Sequence, residues 1–563
     1  MNPSTPVPSV HSINASATWE AMPTRNGATP WLREPFRLLR IVGRARKLGE
    51  LTTKGLGLNK NTETNPLTLS DVTVIEDSKL KKAITAAALG NAMEWFDFGV
   101  YGFVAATVGK VFFPDVSPAV QTIAALATFS VPFLVRPLGG IFFGAMGDKF
   151  GRQKVLSLTI IIMAVSTFCI GLIPGYGTIG LWAPVLLLIC KLAQGFSVGG
   201  EYTGAAIFVA EYSPDRRRGF LGSWLDFGSI AGFVLGAGLV VVLSTAMSES
   251  SFLSWGWRIP FFLAAPLGLI GLYLRHAAEE TPAFTERLKR TEQEDKDALK
   301  ERPTVPIAEI LSRHPRSLAI CIGMVLVTNV TYYMLLTYMP TYLSKTLGYT
   351  EDHGALIIIA VMVGMLFVQP LVGFFSDRIG RRPFLAIGSA LILFLSWPAF
   401  HLIASGHVVG IFFGLLILAI GLNCLVGIMA ATLPALFPAR IRYSALAISF
   451  NISIIVAGLT PTIAAWLVEA TDNIYMPAYY LMIAATVGLA TTLFLKETAN
   501  RPLYGDTPNA SNRKEAKALL AEHYLYIEES VEKIDEAMDE LREQIELLQK
   551  KRDRLVEQHP KLT

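Results

Sequence analysis

Charge is scarce in this chain: Asp, Glu, Lys and Arg make up only 17% of 563 residues, against 52% hydrophobic, and the mean hydropathy is +0.44. That shortage excludes an ordinary soluble protein, which carries roughly 25% charged residues. Cysteine is rare too. Cys169, Cys190, Cys321 and Cys424 all fall inside apolar runs, without the close spacings of thiolate metal sites or disulfide frameworks, and read as small buried hydrophobes. The eight histidines are scattered over termini and loops, and none sits mid-way along an apolar run, so proton handling within the spans falls to carboxylates. The strand alternation of outer-membrane barrels is missing, as is the short apolar core of a secretory signal peptide. No cofactor is implied, and no nucleic-acid partner follows from a net charge of +4. No nucleophile stands with a base or a metal set, which argues against an enzyme.

Long apolar runs are abundant instead. Stretches of about 20 residues recur from Ala83 to Leu495 and count to about twelve, the pattern of an all-α integral membrane protein. Residues 1–78 are rich in Pro, Ser, Thr and Asn, with a basic stretch from Pro35 to Lys47, and form a cytoplasmic, mostly disordered N-terminal extension in this reading. Residues 79–275 hold six spans, 276–315 a charged central cytoplasmic loop, 316–496 six more spans, and 497–563 a cytoplasmic tail. Lys149, Arg152, Lys154, Arg216, Arg217, Arg218, Arg275, Arg378, Arg381, Arg382, Arg440 and Arg442 all follow even-numbered spans. By the positive-inside rule those loops, and both termini, are cytoplasmic.

The first span carries ALGNAMEWFDFGVYGF, with Glu94 and Asp97 three residues apart and Asn91 and Tyr101 close to the same stripe. An ionisable group at the centre of a span costs roughly 2.5–3.5 kcal/mol on insertion scales, so such residues face a bundle interior or a water-filled cavity. The helix therefore reads as one wall of a transport path. Glu94, Asp97 and Glu201 are the candidate proton-coupling group, with Arg136 as counter-ion; Glu211 and Asp226 are expected to be paired near the cytoplasmic end.

GDKFGRQK after the second span and SDRIGRRP after the eighth stand in corresponding places, which points to duplicated six-helix halves. These paired loops, with GNAMEWFDF, QGFSVGGEY, SPDRRRG, GWRIPFF and IRYSALAISFN, resemble the metabolite:proton symporter branch of the major facilitator superfamily. The resemblance runs from about Leu69 to the C-terminus and implies cytoplasmic gating loops at Asp148 and Arg152 and at Asp377 and Arg381. Within the branch it implies an osmosensing symporter of the bacterial inner membrane that takes up zwitterions such as proline and glycine betaine with protons. A symporter for a carboxylic acid such as 2-oxoglutarate or citrate is the alternative. A substrate with several carboxylates should demand more intramembrane cations than Arg136 and Lys191, which favours the zwitterion.

A zwitterion calls for an aromatic face at its ammonium end and donors at its carboxylate. Asn91, Trp95, Tyr101, Arg136, Gln194, Asn329, Tyr332 and Tyr333 are the candidates for that site.

In the tail, Ile527, Ile534, Leu541, Leu548 and Leu555 recur every seven residues, with Val531, Met538 and Ile545 between them and Arg552 at the next such position. This is the stripe of a coiled coil of about four heptads. An antiparallel partner centred near Met538 would set Asp535 opposite Arg542, which points to an antiparallel homodimer, as the resemblance also implies. Membrane lipids are the remaining expected partner.

Overall fold

The computed structural model describes residues 68–69, 72–150, 152–276, 307–349, 351–439 and 441–558. Most of the N-terminal extension and most of the central loop lie outside the described residues.

The first half contains α1 (Asp77–Phe112), α2 (Pro118–Phe150), α3 (Arg152–Leu172), α4 (Trp182–Val198), α5 (Glu201–Tyr212), α6 (Arg218–Ala246) and α7 (Ile259–His276). The second contains α8 (Pro315–Tyr332), α9 (Glu351–Ile379), α10 (Arg381–Ala404), α11 (Val408–Val426), α12 (Arg442–Gly458), α13 (Thr460–Thr471) and α14 (Met476–Phe494), and the tail forms α15 (Arg513–Gln558). Helices α4 and α5 are two pieces of one span broken at Gly199–Gly200, and α12 and α13 likewise form one span.

Nine spans among the described residues are long and apolar enough to cross a membrane. Helix α1 and the shorter apolar stretches of α3 and α7 bring the rods to the twelve expected, six in each half. The shortfall of α1 has a visible source, since Asn91, Glu94 and Asp97 interrupt its apolar run.

Contact between α1 and α6 is close because one ridge of α6 has no side chains. Glycines 228, 232 and 236 recur every fourth residue, and a Cβ on them would lie 2.2, 1.9 and 2.4 Å from the carbonyl oxygens of Ala88, Ala92 and Phe96. With no hydrophobic drive between helices in lipid, such small-residue ridges let backbones pack and gain dispersion energy. The packing fixes which way the carboxylates of α1 turn.

At the cytoplasmic side the two halves meet between α6 and α9, where the Asp377 carboxylate accepts the backbone N–H groups of Gly219 and Phe220 at 2.6 and 2.8 Å. Chain beyond α14 runs across these helix ends. Arg218 donates to the Arg501 carbonyl at 2.9 Å, Arg381 to that of Thr498 at 3.1 Å and Arg442 to that of Tyr504 at 3.0 Å. Thr73–Val74 (β1) then pairs in parallel with Asn509–Ala510 (β2).

Candidate functional site

On α1 the steps from Asn91 to Glu94 to Asp97 are three residues each, so each turns the side chain by about 60° around the helix. The expected single stripe thus fans out over three neighbours. Asn91 donates to the Leu225 carbonyl at 2.8 Å and to Ser229 Oγ, so it joins α1 to α6. Glu94 receives Arg136 of α2 at 2.7 Å, with both side chains buried. Asp97 receives Lys191 of α4 at 3.3 Å, and the same ammonium stands 4.2 Å over the Tyr101 ring. Tyr101 donates its hydroxyl to the Ala125 carbonyl at 3.2 Å.

A cleft of about 30 Å³ runs between α1, α3 and α7 and is lined by Glu94, Asp97, Glu201 and Thr167 among apolar residues such as Met93 and Met163. A water needs roughly 10–15 Å³ on this measure, so there is room for about two beside three carboxylates. All three candidate coupling residues thus share one cleft. Gln194 lies on the α3 side of α4, where it donates to Thr167 Oγ1 at 2.6 Å.

Trp95 is on a different face of α1, and meets the seventh span. Its ring centroid lies 4.6 Å from that of Tyr332 and 6.1 Å from that of Tyr333, while Tyr333 also packs on Phe133 at 5.2 Å. After Tyr332 the span widens into a π-helical turn, Tyr333–Tyr338. Such turns re-aim side chains and recur at functional sites. Trp95 Nε1 and the hydroxyls of Tyr332 and Tyr333 are buried and have no hydrogen-bond partner among the described residues. Orphaned polar atoms of this kind cost about 1–3 kcal/mol each unless water or a ligand meets them. Asn329, one turn away, donates to the Val325 carbonyl of its own helix at 3.1 Å.

Of the two carboxylates expected to be paired near the cytoplasmic end, Glu211 is, whereas Asp226 has a hydroxyl instead of a cation because no basic side chain faces it among the described residues. Glu211 receives Arg442 at 2.9 Å, and Asp226 accepts the Tyr202 hydroxyl at 2.9 Å. Of the gating loops, Asp377 and Arg381 are 3.6 Å apart, and Arg381 also donates to the Ala431 carbonyl at 3.1 Å. The side chains of Asp148 and Arg152 lie outside the described residues.

In α15 the stripe residues Met538, Ile545 and Leu555 are exposed on the single chain, at 43%, 49% and 37%. Ile534, Leu541 and Leu548 are half-exposed, and Arg552 pairs with its neighbour Asp553 at 2.8 Å. The side chains of Ile527 and Val531 lie outside the described residues. Two members of the site escaped the sequence reading. Lys191 was counted there as a scarce cation but not as the partner of Asp97, and Tyr202 was not singled out. A lysine inside LLLICKLAQG was the available signal, because an intramembrane charge calls for a named partner.

Residues 83–507 match the family described as sugar (and other) transporter. The chain belongs to this family, within the major facilitator superfamily. Residues 511–563 of the transporter match a second family, the osmosensory transporter coiled coil, so the heptad stripe of α15 is a recognised module. Over 503 residues, 89% of this chain and 99% of the relative, it is 66% identical to the proline/betaine transporter of Escherichia coli (strain K12). It is 65% identical, with the same coverage, to the glycine betaine/proline/ectoine/pipecolic acid transporter of Dickeya dadantii (strain 3937). Among solved structures, the major facilitator proton:xylose symporter bound to 6-bromo-6-deoxy-D-glucose aligns with a TM-score of 0.59 at 20% identity. That alignment covers 79% of this chain and 100% of the other, and establishes the fold.

Proposed function

We propose that this transporter takes up zwitterionic osmolytes, proline and glycine betaine among them, together with protons, and that high osmolality activates it. The observation that carries the reading is the 66% identity to a proline/betaine transporter along nearly the whole of that relative, with an osmosensory coiled coil at the end of this chain. The site geometry agrees with it. Arg136 and Lys191, the two cations described in the spans at this level, are each engaged by a carboxylate, which leaves aromatic faces and neutral donors for the solute.

Trp95, Tyr332 and Tyr333 supply faces for an ammonium and N–H or O–H donors for a carboxylate, with Asn329 one turn away. Asn91, Tyr101, Arg136 and Gln194 act on the solute indirectly, by holding α1 against α6, α2 and α4 or by bracing α4 against α3. Glu94, Asp97 and Glu201 bind the coupled proton, because protonation of either paired carboxylate frees a cation and reshapes the cleft.

The transporter lies in the bacterial inner membrane with both termini cytoplasmic, and lipids cover exposed side chains such as Phe367, Phe394 and Leu493. Tails from two copies pair antiparallel through the α15 stripe. Cross-linking of a cysteine at Gln549 to a cysteine at Glu528 of a second copy is expected; like-end cross-links from a cysteine beside Leu555 would overturn the antiparallel arrangement.

The deciding experiment is uptake of labelled glycine betaine and proline into proteoliposomes, at low and high osmolality, with and without an imposed proton gradient. Accumulation that requires both is expected. Flux that follows the gradient and ignores osmolality would remove the sensing role, and uptake indifferent to the gradient would remove proton coupling.

A further inference from the structure

Asp226 lies on α6 two turns from the contact between Asp377 and the start of that helix, and is 3% exposed. Four other buried carboxylates each face a cation: Glu94 has Arg136, Asp97 has Lys191, Asp377 has Arg381, and Asp215 has Arg218. Asp226 forms no ion pair among the described residues. It accepts instead the Tyr202 hydroxyl of α5 at Oδ1, while its Oδ2 has no partner among the described residues.

The position is an interface between halves. A Cβ on Gly222, one turn before Asp226, would lie 3.2 Å from the Ala431 nitrogen, and Tyr202 stacks on Phe450 of α12 at 4.9 Å between ring centroids. Other groups facing this carboxyl are few. Tyr332 of α8 is within its electrostatic reach, and Glu94 of α1 is within reach of the Tyr202 hydroxyl. On α9 the residue level with it, Gln369, is an uncharged amide whose two polar atoms also have no partner among the described residues.

An ionised carboxylate buried without a cation is costly, whereas the protonated acid is not, and opening the interface to water reverses that preference. We propose that Asp226 is a further proton-binding carboxylate of the transport cycle, protonated while the cytoplasmic side is closed and emptied when the halves part there. This rests on the proton-coupled reading above. In the release step the Oδ2–H bond breaks, its electron pair stays on Oδ2, and the proton passes to cytoplasmic water as hydronium. Tyr202 continues to donate to Oδ1 and stabilises the anion left behind. Reprotonation follows when the site opens to the outer side, where hydronium donates the proton back to Oδ2.

The test uses the full chain in proteoliposomes with a pH dye inside. Glycine betaine-dependent acidification and gradient-driven accumulation are read against counterflow, which needs solute exchange but no net proton release. Asp226→Asn is expected to lose acidification and accumulation by at least ~tenfold while counterflow persists, and Asp226→Glu to restore acidification with a displaced pH profile. Acidification that persists in Asp226→Asn would overturn the proposal. So would loss of counterflow, because an amide should fit where a neutral acid sits. A wild-type protein that fails to acidify the lumen would instead sink the proton-coupled reading itself.

Discussion

Lys191 is held between two residues of α1, its ammonium 3.3 Å from the Asp97 carboxylate and 4.2 Å above the Tyr101 ring. A lysine in a span is tolerated because both charges of the pair are met by each other, and the ring face helps to replace water.

Removal of one partner should therefore cost more than removal of both. Lys191→Met leaves a buried carboxylate and is expected to destabilise the protein by about 3–5 kcal/mol, while Lys191→Met with Asp97→Asn costs distinctly less. Thermal unfolding of the purified variants in detergent checks the ordering. A double variant no more stable than the single one would mean that the pair does not interact in this way.

For the solute site, Trp95→Ala is expected to raise the KM for glycine betaine, and Trp95→Phe to raise it less. A cation over a desolvated ring is worth about 0.5–2 kcal/mol, or roughly 2- to 30-fold in affinity. An unchanged KM in Trp95→Ala would remove the aromatic contact from the site.

At the cytoplasmic contact, Asp377→Ala removes the acceptor of two backbone N–H groups, each charge-assisted bond contributing about 1.5–3 kcal/mol. The equilibrium should shift towards the inward-open state by at least ~tenfold. A cysteine at Ser223, on the α6 face that meets α9, would then react faster with a thiol reagent from the cytoplasmic side. An unaltered rate would show that this contact does not hold the side closed.

Acid should loosen the junction between tail and core at Glu497. Burial alone would push this carboxyl up, but the backbone N–H groups of Arg381, Ala499, Arg382 and Thr498 all donate to it and hold it below the ordinary value of 4.5. Its stabilising contribution is thus complete above pH 4.5 and is lost as pH falls through the lower folded value. Limited proteolysis near Asn500 against pH should show cleavage setting in below pH 4.5, and Glu497→Gln should cleave readily already at neutral pH. Equal protection of the two proteins at neutral pH would discount this carboxylate as the clasp.

The class, the twelve spans, the duplicated halves and the tail stripe were legible along the chain. All of these depend on composition, run length and spacing along the chain, and neighbours in sequence decide them. Glu94, Asp97 and Glu201 were legible too, since an ionisable residue in an apolar run is conspicuous without any structure.

Which partner each charge has is a matter of packing. Arg136 is 42 residues from Glu94 and Lys191 is 94 from Asp97. Their pairing follows from how α2 and α4 pack around α1, and the fan of Asn91, Glu94 and Asp97 follows from the helical rotation between them. The glycine ridge of α6 brings its backbone against α1, while Tyr202, a commonplace residue in the sequence, meets Asp226 because the span breaks at Gly199–Gly200 just before it. Periodicity along one helix fixes which residues share a face; only packing fixes what that face meets.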